Sequence, residues 1–202
     1  MKILCLLVTC LQSENKCCSK GEMRMKQYID GINKFLEYKT IMDKHNIDIC
    51  LTDNTCDILP EYISDLLPDD VMVKVNTNNM GKKNKGIGLI GQWKTCEELM
   101  MNYDYIIHFE PRQLLINFDF INLFLINPCN LFTINCNNPT FNTGLFTLHS
   151  NILMDYISNN TMTEFVSIEN DLFNWCVDNN IEYNIIDKMN IVWYNNNTKY
   201  YW

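Results

Sequence analysis

The sequence has no basic tract, no proline-rich tract and no glycine/serine linker anywhere in its 202 residues. With no basic tract, a formal net charge of −8 and a pI near 4.8, wholesale nucleic-acid binding is disfavoured. With no linker and no internal repeat, residues 1–202 read as a single domain. The ten cysteines include no Cys-x-x-Cys pair, so a zinc site is disfavoured. The chain is long enough to bury a core without a disulfide framework, and reduced thiols in a cytoplasmic setting are expected. There is no Gly-x-Ser-x-Gly, and the three histidines have no convincing nucleophile partner, which argues against hydrolysis by a catalytic triad. The P-loop pattern is missing as well. No apolar run is long enough to span a membrane. "MKILCLLVTCLQ" imitates a signal peptide but lacks a small-residue cleavage site, and Glu14 and Lys16 follow at once. It reads as a buried first strand.

What is present is the composition of a globular protein, 47% hydrophobic and 20% charged. Asparagine is over-used, which we read as the codon bias of an AT-rich genome, viral or protist, because it interrupts apolar periodicity without replacing it. An all-apolar strand is expected over residues 2–9, of the kind buried on both faces of a parallel sheet. A helix is expected over 20–38, a strand over 47–52, a short helical segment in "EYISDLL", a strand over 71–75, a helix over 86–102 and a strand over 104–109. This β-α-β-α-β-α-β order predicts a Rossmann-like, mostly parallel sheet with right-handed crossovers and helices on both faces. The second half is less regular. Helices are expected over 119–126, 150–158 and 168–179, with short strands over 130–134, 144–148 and around Ile185-Ile186.

Ligands of such a sheet bind beyond the C-terminal ends of its strands. Those ends carry Thr9-Cys10, Asp53-Asn54, the loop from Asn76 to Lys85, and His108 to Arg112. The loop holds Lys82, Lys83 and Lys85 before a helix N-terminus, an arrangement suited to phosphate. Gly86-x-Gly88-x-x-Gly91 matches a dinucleotide spacing, but serves equally to pack a helix against the sheet.

At these strand ends the chain resembles a glycosyltransferase of the GT-A type, the nucleotide-diphospho-sugar transferase fold. The resemblance spans roughly residues 2–193. It implies a nucleotide-sugar donor whose base lies at Thr9 and Asp53. Asn79, Gly81, Asn84, Lys85 and Gly86 match the segment that follows. In the family a strand like "YDYII" ends in an Asp-x-Asp that holds a divalent metal, Mn or Mg, and the donor diphosphate. Here "HFEPRQ" stands in that place, with Glu110 at the first acid and Arg112 at the second. "FNTGLF" matches a segment beside the acceptor, placing Asn142 and Gly144 there, and the acceptor is expected to be a glycan or another polar molecule. Glu169 and Asp171 in "SIENDLFNW" match the acids that act as base.

A guanidinium does not ligate a metal but pairs with phosphate oxygens. Three readings stay open. Arg112 neutralises the leaving diphosphate. Alternatively, Glu110 and His108 hold a metal with help from Arg112. In the third, Glu110 and Arg112 form a structural ion pair and catalysis is lost, leaving a silent nucleotide-sugar- or glycan-binding or assembly protein. Ser167 as a helix cap would explain Glu169 and Asp171 without catalysis. The tail "WYNNNTKYYW" is expected to close over the core rather than stack a ligand. A nucleotidyltransferase reading needs a Gly-rich, Arg-containing loop after the first strand, and that loop offers only Gly21 and Arg24.

Overall fold

The computed structural model describes residues 1–12, 21–78, 81, 84–135, 139–160, 166–195 and 198–201, with only the backbone for 21–22, 193–195 and 198–201. Asn79, Lys82, Lys83, Cys17, Cys18 and Cys136 lie outside the described residues or their side chains. β1 (Ile3–Thr9) is buried along its whole length. It is flanked in parallel by β2 (Ile47–Asp53), with Thr9 opposite Asp53, and by β4 (Tyr105–Phe109), with Leu7 opposite Phe109. β3 (Met72–Val75) pairs in parallel with β2 at one edge. β7 (Leu145–His149) runs antiparallel to β4, and β6 (Leu131–Phe132) and β8 (Asn184–Ile185) complete the order β3-β2-β1-β4-β7-β6-β8. The result is the expected mostly parallel α/β sheet, with an antiparallel insertion at β7.

Alternation along β1 sends Cys5 and Leu7 to one face and Leu4 and Leu6 to the other, and a separate core forms on each. Tyr28, Ile32 and Phe35 of α1 (Gly21–Leu36), Met42 of α2 (Lys39–Lys44) and Phe120, Ile121 and Phe124 of α6 (Asp119–Ile126) fill the first. Trp93 of α4 (Lys85–Thr95), Tyr156 of α7 (Ser150–Asn159) and Leu172 of α8 (Ile168–Asp178) fill the second. Cys5, Cys50, Cys56, Cys96 and Cys176 are free thiols buried as small apolar groups. The described residues other than glycine with positive φ are Asn46, Asn180 and Asn190. The abundant asparagine thus takes left-handed turn positions, which its short polar side chain tolerates. Among the described residues no helix is long and apolar enough to cross a membrane.

Three expectations need correction. The helix expected over 86–102 is broken: α4 ends at Thr95, and α5 (Glu97–Met100) begins after Cys96. Thr95 Oγ1 donates back to the Gly91 carbonyl, and the Cys96 N–H is shared between the Gln92 and Trp93 carbonyls, which tightens the last turn. α2 follows α1 where no element was expected. The chain after Arg112 forms β5 (Leu114–Leu115), which pairs with β9 (Ile191–Asn195), and β9 pairs with β10 (Thr198–Tyr201) in a second, three-stranded sheet. Ile191 and Val192, just before the aromatic tail, are buried, whereas the side chains of residues 193–202, on which the expected closure over the core rests, lie outside the described residues.

Candidate functional site

The strand order reverses between β1 and β4, because α1 leaves β1 over one face and α4 enters β4 over the other. The crevice beyond the C-terminal ends of these two strands is where an open α/β sheet binds ligands. Both backbone groups at the end of β1 are pinned there from opposite faces. The Cys10 N–H donates to the Tyr28 hydroxyl of α1, at 2.9 Å. The Thr9 carbonyl accepts from Gln92 Nε2 of α4, at 2.5 Å.

Thr9 and Asp53 are neighbours, as expected, but both are fully buried. Asp53 Oδ2 accepts from Thr9 Oγ1 and the Leu11 N–H, each at 2.8 Å, while Oδ1 accepts from the Thr55 N–H and hydroxyl. The carboxylate therefore shapes the two loops that form the wall of the crevice, and both its oxygens already have partners inside the protein.

At the start of α4, Asn84 caps the helix: its Oδ1 accepts from the Gly86 and Ile87 N–H groups, and its Nδ2 donates to the Val166 carbonyl. The N–H groups expected to meet a phosphate are thus occupied by the cap, and Lys85 stands exposed beside it. The Gly81 backbone lies against Gly88, so the Gly-x-Gly-x-x-Gly spacing allows close packing of this segment.

At the end of β4, Arg112 Nε donates to Glu110 Oε1 at 2.9 Å, and the two side chains are 22% and 27% exposed. Burial opposes ionisation of Glu110, but the Arg112 and Arg24 guanidinium groups outweigh it and hold its carboxyl below the usual range. Glu110 in turn raises Arg112 further above its already high value. Gln113 closes the turn, its N–H donating to the Glu110 carbonyl and its Nε2 reaching Glu110 Oε2 at 3.4 Å. Tyr28, Gln92 and Gln113 escaped the sequence reading, and Arg24 entered it only in the nucleotidyltransferase alternative. Their only signal was polarity at helix or turn positions flanked by core residues.

His108 is buried to 1% exposure. Its Nδ1 accepts from Trp93 Nε1 at 3.3 Å, and its ring stacks on Phe146. Burial lowers its pKa to about 4. Between that value and the unfolded 6.5 the unfolded chain binds more protons, so stability falls as pH drops through this window. A shift of this size corresponds to about 3 kcal/mol. In denaturant unfolding from neutrality down to pH 4, the wild type is expected to lose about that much more stability than His108→Gln. Parallel losses would overturn a neutral buried His108.

The 142–144 segment links this turn to α8. The Glu110 N–H donates to the Gly144 carbonyl, Asn142 Oδ1 accepts from the Gly144 N–H, and Thr143 Oγ1 donates to Glu169 Oε1 at 3.4 Å. A Cβ at Gly144 would meet the Gln113 amide, so any side chain there would displace the end of Gln113. Ser167 caps α8 as expected, accepting from the Asn170 N–H. Asp171 Oδ2 accepts from the Tyr156 hydroxyl and from Asn160 Nδ2, each at 2.7 Å. Asp171 therefore ties α8 to α7, whereas Glu169 faces the segment that carries Asn142 and Gly144.

The described side chains do not form a ligand set for a divalent metal. Among the described residues no three His, Cys, Asp or Glu side chains converge as a ligand set. His108 Nδ1 and Glu110 Oε1 both accept hydrogen bonds from other side chains.

No protein-family model matches the sequence, and no curated protein does. Solved structures do match in shape. One, assigned as a nucleotide-diphospho-sugar transferase from Desulfovibrio desulfuricans G20, superposes with a TM-score of 0.63 at 10% identity, over 93% of this chain and 80% of that one. The bifunctional IspDF from Campylobacter jejuni gives 0.54 at 8% identity, over 94% of this chain and 50% of that one. At such identities the likeness is one of fold. The chain has a GT-A-like fold, the fold of the nucleotide-diphospho-sugar transferases.

Proposed function

We propose that this chain, as one domain over residues 1–202, is a glycosyltransferase that moves a sugar from a nucleotide-sugar donor to a glycan or other polar acceptor. The observation that carries this reading is Arg112, held by Glu110 at the end of β4 in the strand-end crevice. Leaving-group departure puts negative charge on the diphosphate, and a preorganised cation at that charge gives a large stabilisation. Arg112 supplies that cation, while Glu110 orients its guanidinium. The base lies toward the loops that Thr9 and Asp53 hold, with Asn79, Gly81 and Lys85 along the donor and His108 fixing the floor. The acceptor lies beside Asn142 and Gly144. Its hydroxyl loses a proton to a carboxylate, and Glu169, next to Thr143, fills that role. Asp171 positions the helix that carries Glu169.

The Glu110–Arg112 contact also favours a second reading, in which the ion pair is structural and the chain binds a nucleotide sugar or glycan without turnover. A hydrolysis and transfer screen of common nucleotide sugars, with manganese and again with chelator, separates the two. The expected result is turnover that survives the chelator. Turnover lost with chelator would overturn the role of Arg112 as the metal's replacement, and binding without turnover, repeated with a panel of glycan acceptors, would favour the silent reading.

A further inference from the structure

We infer that Gln92 reads the donor's nucleobase, its side-chain oxygen accepting a hydrogen bond from an N–H on the base edge. This rests on the nucleotide-sugar reading of the crevice. Gln92 is 3% exposed and reaches from α4 to the end of β1. Its Nε2 donates to the Thr9 carbonyl and, at 3.1 Å, to Asn54 Oδ1. Asn54 is itself oriented by its Nδ2, which donates to the Gly88 carbonyl at 2.8 Å. Flipping either amide would set oxygen against oxygen, so the hydrogen-bond network fixes both orientations. Among the described residues, Gln92 Oε1 is then a buried acceptor with no donor.

The described N–H groups that follow β1 and β2 are used elsewhere. The Leu11 and Thr55 N–H groups go to Asp53, the Gln12 N–H to Thr55 Oγ1, and the Cys10 N–H to Tyr28. A buried polar group left in this state is destabilising. It lies at the ends of β1 and β2, whereas Arg112 lies at the end of β4, so the ligand portion near it is the base and not the diphosphate. Every nucleobase presents N–H donors on its pairing edge, on the ring in uracil and guanine and on the amino group in cytosine and adenine. The protein side of this contact is a lone acceptor, which selects for a donor at one position of that edge.

The test starts with calorimetric binding of UDP, CDP, GDP and ADP to the wild-type chain. The tightest binder is then compared with its analogue methylated at the edge N–H, N3-methyl-UDP in the case of UDP. Methylation is expected to weaken wild-type binding by about tenfold, the scale of one hydrogen bond. In Gln92→Met, which fills the space without a strong acceptor, the methylated and unmethylated ligands are expected to bind alike. Circular dichroism and thermal unfolding of Gln92→Met, together with its retained binding of the methylated ligand, guard against a misfolded variant. If a nucleoside diphosphate binds but methylation changes nothing, or weakens wild type and Gln92→Met equally, the role of Gln92 is overturned and the proposed function stands. If no nucleoside diphosphate binds, the proposed function falls and Gln92 falls with it.

Discussion

Arg112→Ala is expected to lower donor turnover by roughly 10²–10³-fold, the range seen when one preorganised donor to a developing anion is removed. The guanidinium is only 22% exposed, and Glu110 fixes its plane through Nε, so no freely moving surface lysine can take its place. Arg112→Lys is expected to recover little, because an ammonium lacks the planar fork that pairs with Glu110 and a phosphate together. The fold is expected to survive both changes, since the pair sits at the sheet's end and not in either core. Steady-state turnover, with circular dichroism as the fold control, checks this. Wild-type turnover in a folded Arg112→Ala protein would remove the phosphate role and leave the ion pair structural.

The pH dependence of the same pair has a definite sign. The Glu110 carboxyl is held below its ordinary value of 4.5, so its contribution to stability is present above that value and disappears as pH falls through the lowered one. Without Arg112 that advantage shrinks, so the variant is expected to be less stable at neutral pH and to lose less stability than the wild type on acidification; denaturant unfolding of both proteins at neutral and acid pH checks it.

The second large effect is on stability. Gly31→Ala sits in the middle of α1, where alanine would ordinarily improve a helix by about 1 kcal/mol. Here α1 crosses so close to the turn after β4 that a Cβ on Gly31 would collide with the Pro111 carbonyl oxygen and lie 2.8 Å from that of Gln113. Both obstacles are backbone, in a turn braced by the Gln113-to-Glu110 hydrogen bond, so neither can swing away as a side chain would. Overpacking is expected to outweigh propensity, with a net loss of about 2–4 kcal/mol and a Tm lower by roughly 6–12 °C. Thermal unfolding checks it. A Gly31→Ala protein as stable as the wild type would show that α1 does not press on the turn. The displaced turn carries Glu110 and Arg112, so turnover is expected to fall as well.

Much of the central sheet was legible because strands buried on both faces read as unbroken apolar runs. β1 is such a strand, β2 and β4 approach it with Asp48 and His108 as polar interruptions, and the ends of these strands are where the candidate site lies. The later strands were less legible. β5, β6 and β8 are two residues long, too short to show a period, and their pairing depends on partners far away in sequence. The hairpin of the aromatic tail pairs with β5, more than 70 residues earlier by position, a contact that no local pattern encodes.

The site divides the same way. A strand end rich in charge, a Phe-Asn-x-Gly segment and a capped helix with acids in its first turn are all local patterns. They determined, from sequence alone, the fold class and the strand-end neighbourhood where the chemistry is proposed. Only the tertiary structure decided which side chains have partners. It satisfied Asp53 completely, tied Asp171 to α7, paired Glu110 with Arg112 and left the Gln92 oxygen without a donor. The physical reason is that apolar periodicity repeats along the chain and so can be read from it. Whether a buried polar atom has a partner depends instead on single contacts between residues tens of positions apart, and those exist only once the sheet and both helical layers have closed.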